Sequence, residues 1–521
     1  MDFYNNSLIK NYLIVITLTL TSNIIALIRE ILTAKFFGFS IEVDIYLLAF
    51  SFISIFTLIF AAGPLQNSFI PLFSDYYYKN KKSAWIFFSK ILNLIIILNF
   101  IIITTIATIL FFKPSFLFII APGLEISKIK SLSVFINILL ITIPLVSFIM
   151  LLTSVLQFFG NFSLPAFSPV LNNMIIIIAI LFFHKNLGIN SLIFGVILGT
   201  FLSVILLGLG VLKYKPLYSL QIILLDSEIK KFLSLALPMM LIIFIDQINA
   251  LIQKTILTTT GEGNIAILNY AYKLVSIPVG LFGLGISTVI FPTISSLITK
   301  SEYELIKDKF MNGLSFIVYA LMPITIFFIF FGLPIVRLTF ERGAFTYEGS
   351  LKTSVALTIY SLGMIGQALI VYFVRIFFAF KNSSIPLIIG IFTAFLHLIL
   401  CIVLVKYFNY LGIAIATSIY AYIYCILLWI FLFKKYIKLD FLKFFTFLLK
   451  IFLASLLSIY ISIIIINNLI DYKGSIEILL NLSCYGIIFL IITYIFKIND
   501  TKVLLQILKN LINKYYVQQN K

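Results

Sequence analysis

The sequence is short of charge. Asp, Glu, Lys and Arg together make up 11% of its 521 residues, where a soluble domain carries roughly a quarter. No polar stretch is long enough to build a soluble domain, which excludes an ordinary globular enzyme. Cysteine is scarce as well. Cys401, Cys425 and Cys484 all lie in apolar runs, so they read as small hydrophobic side chains and exclude a disulfide framework. There are two histidines, His184 and His397. Neither has a carboxylate or cysteine at ligand spacing, so no metal site and no cofactor are expected. Acids are the rarer charge, 19 Asp and Glu against 37 Lys and Arg. The N-terminus lacks a short apolar region followed by a small-residue cleavage site, and no removable signal peptide is expected.

What is there is apolar. Hydrophobic residues reach 62%, and runs of about 18 or more recur along the whole chain, the signature of spanning helices. The fold class that follows is an all-α polytopic membrane protein with about fourteen spans, the first two centred near residues 18 and 58. An even number puts both termini on one side. The N-terminus, the tail and the loops on that side carry about +13, and the opposite loops about +3. The excess of Lys and Arg marks the cytoplasmic side, so both termini are expected there. The formal net charge of +18 then reports orientation and contact with anionic lipid, and no nucleic-acid partner is expected. The tail from Asn499 has apolar Leu504, Leu508, Leu511 and Tyr515 among lysines. It reads either as an amphipathic surface helix or as a solvated tail on the bundle.

The chain resembles itself. FGNFSLP (159–165) matches FKNSSIP (380–386), and FIPLFS (69–74) falls opposite IFPTIS (290–295), with Pro71 on Pro292. ALIREILT (26–33) resembles ALIQKTILT (250–258) at nearly the same spacing. A spacing near 221 covers six spans, an even number, so both copies have one orientation. Parallel repeats of this kind build transporters that work by alternating access. The expected organisation is an N-lobe over 1–215 (spans 1–6), a C-lobe over 216–436 (spans 7–12), spans 13–14 over 437–497, and a cytoplasmic tail over 498–521.

Charge at membrane depth costs roughly 2.5–3.5 kcal/mol at the bilayer centre and usually faces a partner or a wet cavity. Arg29 and Glu30 are read as ending the first span, and Asp44 as opening the second. Asp246 lies in span 7, with Gln247, Asn249, Gln253 and Lys254 following. Lys273 lies in span 8, and Arg375 ends span 10. Each has a plainer reading. Arg29 and Lys273 snorkel to the interface, Asp44 is an acid favoured by its helix dipole, Asp246 pairs for structure alone, and Arg375 is a positive-inside anchor. The functional reading is joint. Arg29 from the first lobe, and Lys254 or Lys273 from the second, converge on a cavity suited to a pyrophosphate. Glu30 and Asp44 hold the cations when the anion is absent.

At these residues the sequence resembles the lipid II flippase family, also called MurJ or MviN, of the multidrug/oligosaccharidyl-lipid/polysaccharide exporter superfamily. The resemblance runs through SNIIALIREILTAKFFGFSIEVDIYLLAF (22–50), TIPLVSFIMLLTSVLQFFGNFSLPAFSPVLNN (142–173), NYAYKLVSIPVGLFGLGISTVIFPTISS (269–296) and RLTFERGAFT (337–346). It implies an undecaprenyl-pyrophosphate-linked disaccharide-pentapeptide as substrate, a bacterial inner-membrane location, contact with membrane lipids, and drive by a monovalent ion gradient or the membrane potential. By position it implies substrate binding at Arg29, Glu30, Asp44, Ser22, Asn23 and Lys273, with gating or ion coupling at Asp246, Gln253, Lys254 and Asn382.

The sequence also departs from the family. Asn23 stands where the family has arginine, Thr57 and Leu58 where it has an arginine pair, Ala62 and Tyr272 where it has acids. Lys273 replaces arginine, while Gln253 and Asn382 stand where some members have sodium-linked or acidic residues. The cavity therefore has fewer charges of both signs. The expected function is a lipid II flippase. The alternatives are an exporter of another lipid-linked oligosaccharide, or a drug/cation exporter, for which Asp246 without a nearby cation would speak. A membrane glycosyltransferase needs an extramembrane acid–base constellation, and the sequence offers none.

Overall fold

The computed structural model describes residues 6–61, 64–219, 226–436, 441–469, 475–498, 500–502 and 506. Among them every regular element is helical, as a chain in hydrocarbon requires, because only internal bonds satisfy its backbone there. Thirteen helical stretches are long and apolar enough to cross a membrane, and a pair bent by 43° brings the number to fourteen. The amphipathic reading of the tail falls mostly outside the described residues.

The chain forms two compact units, Met1–Ala266 with Arg342–Thr346, and Ile267–Glu341 with Tyr347–Lys521. Unit 1 holds α1 (Asn6–Phe37), α2 (Ile41–Ala61), α3 (Pro64–Lys79), α4 (Lys81–Phe112), α5 (Ile126–Leu139), α6 (Thr142–Phe158), α7 (Ser163–Leu187), α8 (Asn190–Leu212) and α9 (Ser227–Leu257). The division falls early in α10 (Asn264–Pro278). Unit 2 continues with α11 (Gly285–Thr299), α12 (Tyr303–Phe340), α13 (Tyr347–Leu362), α14 (Met364–Ala379), α15 (Ser384–Phe408), α16 (Leu411–Lys435), α17 (Phe441–Leu469) and α18 (Ser475–Ile495). A second span centred near 58 is not what forms. The apolar run there is divided into α2, whose spanning part is Ile41–Leu58, and the short α3, which Pro64 opens. Proline suits a helix start, where its missing N–H would be unpaired anyway.

Unit 1 packs by aromatic rings. Leu65, Phe69, Leu72 and Phe73 form one stripe of α3 and are buried against Trp85 and Phe87 of α4, Val155 of α6 and Phe232 of α9. Phe69 stacks on Phe73 with ring centroids 5.1 Å apart. The α7–α8 contact uses small residues instead. Any Cβ on Gly195 would stand 2.9 Å from the backbone of Ile176, and one on Gly199 2.9 Å from Asn172. This spacing of four is the close-approach pattern of membrane helices, which lack a hydrophobic drive to associate. Asp226 caps α9, accepting from the Ile229 N–H at 2.8 Å. It also joins Glu228 in holding Lys90 of α4. Burial acts to raise the Asp226 carboxyl, but the Lys90 ammonium and the Ile229 N–H outweigh it, and the group sits below its ordinary value.

In unit 2, α12 kinks at Phe331 (φ −110°, ψ 19°), three residues before Pro334, the usual cause of a sharp bend. Phe327 and Phe331 pack there with Ile459 of α17 and Tyr485 of α18. The Tyr485 hydroxyl donates to the Pro323 carbonyl at 3.0 Å.

The sequence repeat is one local structure built twice. Helices α7 and α15 begin at Ser163 and Ser384. The turn before each has a left-handed residue, Gly160 (φ +76°) and Lys381 (φ +56°). Next comes an asparagine whose side-chain oxygen accepts from the helix, Asn161 from Leu164 at 3.4 Å and Asn382 from Ile385 at 3.2 Å. A phenylalanine at the same place stacks on a tyrosine in both copies, Phe159 on Tyr214 at 4.0 Å and Phe380 on Tyr436 at 4.1 Å.

Candidate anion-binding site

The residues singled out from sequence divide between the units. Ser22, Asn23, Arg29, Glu30, Asp44, Asp246, Gln253 and Lys254 belong to unit 1, and Lys273 and Asn382 to unit 2.

Arg29 does not end its span. Helix α1 runs on to Phe37, because ILTAKFF continues the apolar pattern until Gly38 closes it. Gly38 takes φ +63° and donates its N–H to Ala34 O at 2.8 Å, the usual glycine stop. The loop residue Ala344 donates to Lys35 O at 2.8 Å. A Cβ on Gly343 would overlap that carbonyl, so RGAF needs its glycine to approach α1. Arg29 therefore lies inside the span. Its Nη2 meets Glu30 Oε1 at 2.6 Å, and its Nη1 donates to Asn173 Oδ1 of α7 at 2.9 Å. Asn173 is in turn held by donating to the Pro169 carbonyl at 2.9 Å. The guanidinium has five donors. Its side chain keeps 26% of its surface exposed against 11% for Glu30, so it is oriented without being enclosed.

A second cation stands near. Lys254 Nζ of α9 donates to Ser51 Oγ of α2 and to the Leu47 carbonyl, the latter at 3.1 Å. Glu30 and Asp44 are within electrostatic reach of it, and Tyr46 is within reach of both Arg29 and Glu30. Two cations and two acids thus balance inside one unit. Glu30 does hold Arg29, as the sequence suggested. Asp44 opens α2 as expected, but its partners are backbone groups at the start of α10. It accepts from Gly263 N–H at 2.7 Å and Ala266 N–H at 2.8 Å. The first N–H groups of a helix have no internal partner, and an acid there also favours the dipole. A cavity of about 440 Å³ beside Asp44 has Glu125, Glu262 and Lys128 in its wall. With three acids to one base, it is no anion site.

Gln253 donates to Asn249 Oδ1 at 3.1 Å. Asn382 donates to the Tyr436 hydroxyl at 3.0 Å while capping α15. Asp246 is exposed and, among the described residues, forms no ion pair. Lys273 is half-buried in α10, nine residues past its start. Ser22 is buried and Asn23 exposed on α1. Sequence reasoning missed Asn173 and Ser51. Asn172 and Asn173 adjoin in an apolar helix, which was the available signal. Ser51 had none, since serines recur throughout these helices and most bond their own carbonyls.

This arrangement, a bundle of helices long and apolar enough to span a membrane with a balanced ionic cluster inside one unit, defines a multi-pass membrane protein. A solved structure described as an inward-facing multidrug resistance MATE family transporter of the MOP superfamily has that fold. Its TM-score is 0.65 at 14% identity, covering 80% of this chain and 96% of the other. The chain belongs to the family described as Lipid II flippase MurJ, whose model matches residues 33–482. A solved Lipid II flippase MurJ in an inward closed conformation superposes with TM-score 0.80 at 26% identity, over 93% of this chain and 98% of the other. A probable lipid II flippase MurJ from Buchnera aphidicola subsp. Schizaphis graminum is 29% identical over 93% of this chain and 96% of its own length. The Lipid II flippase MurJ of Thermosipho africanus is 28% identical over 82% of this chain and 86% of its own.

Proposed function

We propose that this chain flips lipid II, an undecaprenyl-pyrophosphate-linked peptidoglycan precursor, outward across the bacterial inner membrane by alternating access, without catalysing a reaction. Family membership over most of the chain supports the substrate class. The observation that carries the residue-level reading is Arg29, held by Glu30 and Asn173 with donors to spare. A guanidinium kept in place this way is suited to a pyrophosphate, which it grips with paired, charge-assisted bonds. Lys273, in unit 2, is assigned to substrate phosphate on the sequence resemblance alone. It carries the charge without the fork.

The charge reversal tests that assignment. Lys273→Glu should support growth of a flippase-depleted strain far less well than Lys273→Gln, because it sets a carboxylate against phosphate. Equal rescue by the two would remove Lys273 from the substrate site.

The exposed carboxylate of Asp246 supports a role in coupling to a monovalent cation. In vesicles, Asp246→Asn should leave substrate binding intact and remove the effect of an imposed ion gradient. A variant as gradient-sensitive as the parent would exclude it. Asp246 is also the feature that favoured a cation exporter, and gradient-dependent efflux of a cationic dye by the parent would support that second reading.

The loop charges support cytoplasmic termini. A fluorescent protein fused at the C-terminus should glow and a phosphatase there should be inactive, with the opposite pair of results reversing the orientation. Nothing in the site calls for nucleic acid.

A further inference from the structure

At one end of unit 2 a cavity of about 960 Å³ lies between α11, α12, α17 and the segment just after α18. Its wall has two characters. Phe282, Val289 and Phe447 make part of it apolar, while Lys309, Lys443, Lys450 and Lys497 bring four ammonium groups against the single carboxylate of Asp500. Among the described residues Lys309, Lys450 and Lys497 form no ion pair.

The lysines are arranged by helix periodicity. Lys443, Thr446, Phe447 and Lys450 are three, four and seven residues apart on α17 and so share one face. Lys309, Asn312 and Phe316 do the same on α12. Lys450 lies eight residues beyond Leu442, where the spanning part of α17 begins, which is about 12 Å along the helix. It is exposed there. A cation at that depth persists where it meets water or a counter-charge, and among the described residues Lys450 forms no ion pair, Asp500 being the one carboxylate that shares its cavity. Val289 and Leu281 are exposed at 63% and 46%, so the apolar side of the cavity presents surface that a soluble anion would have no use for.

We propose that this cavity binds an anionic phospholipid, with its phosphate on the lysines of α12 and α17 and an acyl chain along Phe282, Val289 and Phe447. The volume is that of a site for a ligand of headgroup size with part of a chain. The orientation proposed above, on which this rests, places the site in the cytoplasmic leaflet, where anionic lipids attract basic residues. Lys273, the unit 2 residue assigned to the substrate, does not line this cavity, so the site is additional to that assignment.

Native mass spectrometry of the full-length protein with phosphatidylglycerol, phosphatidylcholine or undecaprenyl phosphate tests the proposal. Each basic residue facing an anionic lipid is worth about fivefold in binding. The double variant Lys309→Gln with Lys450→Gln should therefore retain phosphatidylglycerol at least about tenfold less well, with phosphatidylcholine unchanged. The Lys309→Arg, Lys450→Arg pair keeps the charge and should keep the lipid, which separates lost charge from lost folding. Undiminished phosphatidylglycerol in the glutamine pair overturns the site. Displacement of phosphatidylglycerol by undecaprenyl phosphate, itself lost in the glutamine pair, overturns the choice of occupant and assigns the cavity to the carrier lipid. No transport is measured, so a failure here is distinct from a failure of the flippase reading.

Discussion

Arg29→Ala is expected to abolish lipid II flipping while the protein still reaches the membrane at its normal level. One charged hydrogen bond to the anion is worth about 1.5–3 kcal/mol, or roughly 10- to 150-fold in affinity, and a forked arginine supplies more than one. The variant has a second effect. Glu30, 11% exposed, loses its ion pair with Arg29. Breaking a fully buried pair costs about 3–5 kcal/mol, while an exposed pair is worth about 0–1 kcal/mol; this largely buried pair falls between them. That loss is too small to unfold a protein of this size but large enough to move Glu30. Arg29→Lys keeps the charge and gives up the simultaneous grip on Glu30 and Asn173, so partial rescue is expected. Growth of a flippase-depleted strain measures both variants. Normal growth with Arg29→Ala would remove the anion role from this residue.

Asp44→Ala should be the most destabilising of the single changes considered. It strips the acceptor from the N–H groups of Gly263 and Ala266 at once. A buried donor left without a partner costs about 1–3 kcal/mol, so the pair amounts to about 2–6 kcal/mol. The turn between α9 and α10 is what loosens. Asp44→Asn leaves an oxygen in place but gives up the charge, which roughly halves such a bond. The melting temperature in detergent should therefore fall from parent to Asp44→Asn to Asp44→Ala, and transport should fall in the same order. A melting temperature unchanged in Asp44→Ala would show that the turn is held by other contacts.

These two residues also show what could be read from the chain and what could not. The pairing of Arg29 with Glu30 is written in adjacency, but the end of α1 was placed too early, at those charges, although Gly38 after the helical run marks it. FGNFSLP and FKNSSIP were legible as a repeat, because the turn that the structure shows there needs a left-handed residue, an asparagine cap and an aromatic ring at fixed places. The cap that Asp44 makes was not legible. Its partners are backbone N–H groups more than two hundred positions away, and backbone groups leave no mark in residue identity. Nor was Asn173 legible as the second holder of Arg29, since that contact depends on how α1 packs on α7. The break between α2 and α3 near residue 58 was hidden for a different reason. Hydropathy continues across the break between α2 and α3, and only the proline at 64 marks it. The lysine face of α17 needed both periodicity and a neighbour, because a stripe of lysines on one helix alone reads as solvated.

The central claim is that this chain carries lipid II outward and uses Arg29 to hold its pyrophosphate. The direct measurement is the amount of lipid II exposed on the outer face of the inner membrane after the native flippase is depleted and this chain is supplied in its place. The account predicts exposure restored by the parent and absent with Arg29→Ala at equal protein level. No restoration by the parent, or equal restoration by the variant, would contradict it.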